Sequence, residues 1–82
     1  MNAFDLAKDI LRVSLQLGDR VNSLTLDTPL MGNFPEFNSL TVTGIVTAIE
    51  EQTGNGVDDH EIGEEIFRTV GTLTKFIETK LG

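Results

Sequence analysis

The stretch Asn38-Ser39-Leu40-Thr41-Val42-Thr43-Gly44-Ile45-Val46-Thr47-Ala48-Ile49-Glu50-Glu51-Gln52-Thr53 decides the fold, because its residues pull two ways. Thr41-Val42-Thr43 and Ile45-Val46-Thr47 are β-branched and suit a strand. Gly44 weakens a helix by about 1 kcal/mol relative to alanine. Against this, Val42, Ile45, Val46 and Ile49 recur at i, i+3, i+4 and i+7, which is one face of a helix. The segment is also long for a strand. Gly54-Asn55-Gly56 then supplies a helix stop. The pattern predicts a helix from Ser39 to about Thr53.

The flanking sequence supports a helical chain. Asn2 is placed to cap a first helix running to about Leu17, with Asp5 in its first turn. Phe4, Ala7, Ile10, Leu11 and Ser14 fall on one face, and Gly18 ends the helix. From Asp19 to Phe37 no period is visible. Pro29, Gly32, Asn33 and Pro35 mark a long ordered loop anchored by Leu24, Leu26, Leu30 and Met31. A loop of this length inside a small domain usually has a function. Asp58-Asp59 can cap a short third helix, about His60 to Ile66, with Ile62 and Ile66 inward. Thr69 can cap a fourth, Val70 to Leu81, with Val70, Leu73, Phe76, Ile77 and Leu81 as its core stripe. The expected architecture is all-α: a four-helix bundle of three longer helices and one short one, with a long loop between the first two.

The chain has 82 residues, enough for one domain over 1–82 with a thin core and little room for a deep catalytic pocket. It has no cysteine, so no disulfide framework and no thiolate metal site are expected, which fits a cytoplasmic protein. No apolar run is long enough for a signal peptide or membrane span. The net charge of -7 is unevenly spread. Charges cancel from Met1 to Arg20. From Glu50 to Phe67 there are seven acids and no Lys or Arg: Glu50, Glu51, Asp58, Asp59, Glu61, Glu64 and Glu65. No basic patch is available to neutralise phosphates, so nucleic acid is not an expected partner. A basic protein surface is, and long-range attraction would speed that encounter.

Individual residues carry competing readings. Ser39 at the start of a helix is a common N-cap, in which case Ser39→Ala costs about 0.5–2 kcal/mol. The same place favours an attached anion, because free backbone N–H groups and the positive end of the helix dipole lie there. Glu50 and Glu51 face the negative end of the dipole, at a cost of a few tenths of a kcal/mol, which favours a partner-binding role over a merely solvated face. Leu40, Thr43 and Thr47 share an outward face and are candidate partner contacts, as is Glu61. The acids from Asp58 to Glu65 fail the EF-hand pattern, since Ile62 and Gly63 break the ligand alternation. His60 is the only histidine, and no second catalytic set accompanies Ser39, so a hydrolase is not expected.

Taken in order, several of these pieces resemble the acyl carrier protein family along nearly the whole chain. They are the Gly18 turn, Leu26 through Met31-Gly32, Ser39-Leu40 opening the second helix and Ala48-Ile49-Glu50-Glu51 closing it. The short acidic helix follows, and Phe67-Arg68-Thr69-Val70-Gly71 leads into the last. The resemblance implies a carrier that is not itself an enzyme. Ser39, flanked by Asn38 and Leu40, would receive a 4'-phosphopantetheine arm from a phosphopantetheinyl transferase using coenzyme A and magnesium. The arm would hold an acyl group as a thioester for acyl-loading, acyltransferase or synthase enzymes with basic docking surfaces. The family shelters its acyl chain between helices, and Ile45, Val46, Ile49, Ile62, Ile66, Phe67 and Leu73 are the expected lining. Carriers of this kind are usually monomers.

Two departures stand out. The family usually has Asp before the serine, where this chain has Asn38. It also tends to place acids in the first turns of the second helix, where this chain has Thr41 and Gly44. The lead-in Phe34-Pro35-Glu36-Phe37 is similar to carriers associated with exosortase and polysaccharide-export loci. The resemblance therefore implies a specialised lipid, polysaccharide or secondary-metabolite pathway. Two other readings stay open: an unmodified helical interaction module with a degenerate site, and a peptidyl or aminoacyl carrier.

Overall fold

The computed structural model describes residues 2–35 and 37–81. Three α-helices dominate: α1 (Ala3–Ser14), α2 (Ser39–Thr53) and α3 (Val70–Leu81). The short third helix of the expected four-helix bundle is realised as two 3-10 turns, Asp59–Glu61 and Glu64–Phe67. Ile62 and Gly63 between them are extended and interrupt it. Among the described residues no strand forms; Pro29 and Thr69 make one isolated antiparallel bridge. Glu36 of the Phe34–Phe37 lead-in lies outside the described residues.

The β-branched stretch is helical, and local hydrogen bonds show how. Asn38 Oδ1 accepts from the N–H groups of Leu40 and Thr41 at 2.9 and 3.1 Å, while Thr41 Oγ1 accepts from Asn38 N–H at 2.8 Å. This reciprocal box satisfies orphan donors of the first turn. Thr43 and Thr53 donate their hydroxyls to the carbonyls of Ser39 and Ile49, four residues back, at 3.0 and 2.7 Å. Gly54 closes the helix at φ 73°, donating to Glu50 O at 2.9 Å.

The first helix stops earlier than Leu17. Leu17 N–H donates to Arg12 O and Gln16 N–H to Val13 O, the paired bonds of a Schellman turn, with Gln16 at φ 53° where glycine is usual. The turn exists to bury Leu15 and Leu17, both core residues. A second unexpected element follows, a 3-10 turn over Gly18–Ser23.

Ile45, Val46 and Ile49 of α2 meet Leu6, Ala7, Ile10 and Leu11 of α1 and Val70, Leu73 and Ile77 of α3 in one core. Leu6 carries α1 into it, while Phe4 and Ser14 are only partly covered. Leu81 is 48% exposed and leaves the expected α3 stripe. Thr74 takes a buried place, its hydroxyl donating to Val70 O at 2.8 Å. In the loop, Leu24 and Leu30 are buried anchors, but Leu26 and Met31 are exposed. The loop is held by its backbone instead. Leu30 N–H donates to Arg68 O, Val70 N–H to Thr28 O and Gly71 N–H to Leu26 O, at 3.1, 2.9 and 2.7 Å. Gly71 has no room for a side chain, since a Cβ would lie 2.7 Å from Leu26 O.

Candidate functional site

Ser39 is the first residue of α2 and is exposed. The cap is Asn38, not Ser39, so the serine hydroxyl is left out of the helix's own bonding. Among the described residues it has no hydrogen-bond partner. Just upstream, the Phe37 ring meets Phe67 edge to face, with centroids 5.6 Å apart. Phe67 is buried, and such a pair contributes about 0.5–1.5 kcal/mol beyond area burial. The residue two before Ser39 is thus fixed to the core, and the serine stands on a rigid corner.

A groove of about 600 Å³ begins at Ser39. Val42, Val46 and Glu50 descend along one wall, flanked by Thr43 and Thr47; Val57, Asp59 and Ile62 form the other wall. Of the expected acyl lining, Val46 and Ile62 are in this groove. Ile45, Ile49, Phe67 and Leu73 are not: they are sealed in the core and complete the helix packing. Ile66 faces a separate, shallower recess beside Phe76. Val42 and Val57 take their places. Val57 carried a sequence signal, a lone aliphatic residue between Gly56 and Asp58 in a polar stretch. A larger recess of about 790 Å³, lined by Phe4, Leu26 and Leu81 among others, shares no residue with the Ser39 groove.

The candidate partner contacts divide into two kinds. Leu40 is 84% exposed beside Ser39, and Thr43 and Thr47 are exposed one and two turns on. Glu51 is also exposed. Glu50 and Glu61 have internal engagements. Glu50 Oε2 accepts from Val57 N–H at 2.8 Å. Glu61 binds Lys80 Nζ at 2.8 and 2.9 Å and accepts from Asp58 N–H at 2.8 Å. The Lys80 ammonium, and after it the Asp58 N–H, hold the Glu61 carboxyl below its usual value. Among the described residues, no group of three or more His, Cys, Asp and Glu could hold a metal ion. No helix among them is long and apolar enough to cross a membrane.

The site is thus an unengaged serine on a helical corner, at the mouth of a groove whose apolar lining is Val42, Val46, Val57 and Ile62. No protein-family model matches the chain, and no curated protein matches it. Among solved structures, the chain is similar to a holo acyl carrier protein of Nitrosomonas europaea determined in solution by NMR. The two are 41% identical, the match covers 99% of this chain and 98% of that one, and the TM-score is 0.88. The chain belongs to the acyl carrier protein family. Its role is therefore that of a carrier and not of an enzyme, and the cofactor of such a carrier is 4'-phosphopantetheine.

Proposed function

We propose that residues 1–82 form one carrier domain in which Ser39 takes the 4'-phosphopantetheine arm, and that the protein delivers acyl groups within a specialised pathway in the cytoplasm. The observation that carries the attachment site is the division of labour at residues 38 and 39. Asn38 satisfies the helix N-terminus, so the Ser39 hydroxyl is exposed and unengaged at the mouth of the groove. When bound, the arm supplies a thiol that holds the acyl group as a thioester. The chain's own residues do the rest. The first turn of α2 favours an anion on Ser39, and Val42, Val46, Val57 and Ile62 offer apolar shelter to a hydrocarbon.

The partners are a phosphopantetheinyl transferase and acyl-loading, acyltransferase or synthase enzymes. Their contact surface on this chain has a neutral part, Leu40, Thr43 and Thr47, beside Ser39. Its acidic part is Glu51 with the outer faces of Glu50 and Glu61. The neutral first turns of α2 support a dedicated set of partners, and the resemblance of the Phe34-Pro35-Glu36-Phe37 sequence supports the exosortase or polysaccharide-associated subgroup.

The test is the intact mass after incubation with coenzyme A, magnesium and a broad-specificity phosphopantetheinyl transferase, with Ser39→Ala alongside. One added arm on the native chain and none on the variant is the expected result. Addition to both chains would move the site elsewhere. No addition to either, with several transferases, would make the protein an unmodified interaction module. Loading by an amino-acid-specific adenylating enzyme would make it an aminoacyl carrier.

A further inference from the structure

The groove wall opposite α2 has little core of its own. Val57 and Ile62 are only half-buried. The segment is held by polar contacts from the ends of two helices. On the α2 side, Glu50 Oε2 accepts Val57 N–H. On the α3 side, Lys80 donates Nζ to Gly56 O at 3.1 Å and to both oxygens of Glu61. All three ammonium donors are thereby used. The Asn55 side-chain amide donates back to Lys80 O, and Glu61 accepts Asp58 N–H. Lys80 lies 5.6 Å above the Phe76 ring. The Lys80 and Glu61 side chains are only 15% and 28% exposed. The Arg12–Asp9 pair, by contrast, is about half exposed and spans three residues of one helix, so it positions nothing distant.

We propose that Lys80 is a positioning residue for the acyl cargo: by gripping Gly56 and Glu61 it sets the 56–62 wall at the spacing from α2 that lets the groove hold a hydrocarbon chain. This rests on the carrier reading of Ser39.

The test has two parts. In the unmodified protein, Lys80→Met, and separately Glu61→Gln, should speed hydrogen exchange at the Val57 and Asp58 amides about tenfold, with α1 and α3 core amides unchanged. Lys80→Arg should restore slow exchange. In protein loaded from octanoyl-coenzyme A, the resonances of Val46, Val57 and Ile62 should move on going from the holo to the octanoyl form. Those movements should fall by roughly half or more in Lys80→Met, because a detached wall no longer covers the chain. Unchanged exchange at Val57 and Asp58 overturns the proposal. So does a uniform rise across all helices, which would mark a merely structural role. Groove resonances that still respond fully to octanoyl in Lys80→Met overturn it as well. A native chain that accepts no arm overturns the carrier reading of Ser39 itself; the two failures are told apart because exchange is measured without the arm.

Discussion

Capping of α2 falls to Asn38 and not to Ser39. Asn38 Oδ1 receives both orphan N–H groups of the first turn, leaving Ser39 with no capping duty. The energetic consequence is opposite to that expected of an N-cap serine. Ser39→Ala should change stability by less than about 0.5 kcal/mol, whereas Asn38→Ala should cost about 0.5–2 kcal/mol. Urea unfolding of the two variants decides this. A larger loss at Ser39 than at Asn38 would mean that the serine is the true cap. The Asn38 side chain also explains why an uncharged residue is structurally sufficient here: the box with Thr41 needs an acceptor, not a charge.

At the scale of elements, two joints fix where the helices lie. The first is the α1 exit, where Gln16 holds a left-handed conformation to send Leu15 and Leu17 into the core. A side chain at that φ carries a steric cost. Gln16→Gly should therefore raise stability by about 1 kcal/mol, the relief outweighing glycine's entropy. A lower melting temperature for this variant would show that the Gln16 side chain contributes more than its backbone costs. The second joint is the loop against the start of α3. Gly71 approaches Leu26 so closely that a methyl group would meet its carbonyl oxygen at 2.7 Å. That oxygen also accepts the Gly71 N–H, so it cannot retreat without losing a bond. Gly71→Ala should cost about 1–3 kcal/mol, and calorimetry showing wild-type stability would refute the close approach.

Over the whole molecule, the acids of 50–67 are partly neutralised from the far end of the chain. Lys80 reaches Glu61 across 19 residues and depresses its carboxyl. Unfolded, Glu61 titrates near the usual 4.5. Folded, it keeps its charge to lower pH, so between the two values the unfolded state binds more protons and stability rises with pH. The contribution is thus complete above 4.5 and is lost as the pH falls through the depressed folded value. Glu61→Gln should flatten the pH dependence of stability just below 4.5, as read by urea unfolding across a pH series. Parallel curves for variant and native protein would remove the ion pair from the account. The same pair ties the end of α3 to the segment that carries Asp59 and Ile62 of the groove.

The helical class, the extents of α2 and α3, the Asn2 and Thr69 caps and the place of Ser39 at the start of α2 were legible in the sequence, although the cap of α2 is Asn38 and not the serine read there. Each depends on neighbours within about four residues, through side-chain spacing, capping and turn chemistry. What sequence could not supply depends on groups far apart along the chain. The break of the third helix at Ile62-Gly63 and the burial of Ile45 and Ile49 rather than Val42 are set by how the helices rotate against one another. The exposure of Leu26, Met31 and Leu81, the close pairing of Gly71 with Leu26 and the Lys80–Glu61 grip are likewise long-range outcomes. An aliphatic stripe read at helical spacing is wider than the groove it borders. Only packing decides which of its members are sealed in the core and which line the space beside Ser39, because that choice turns on a few tens of degrees of helix rotation that local pattern does not encode.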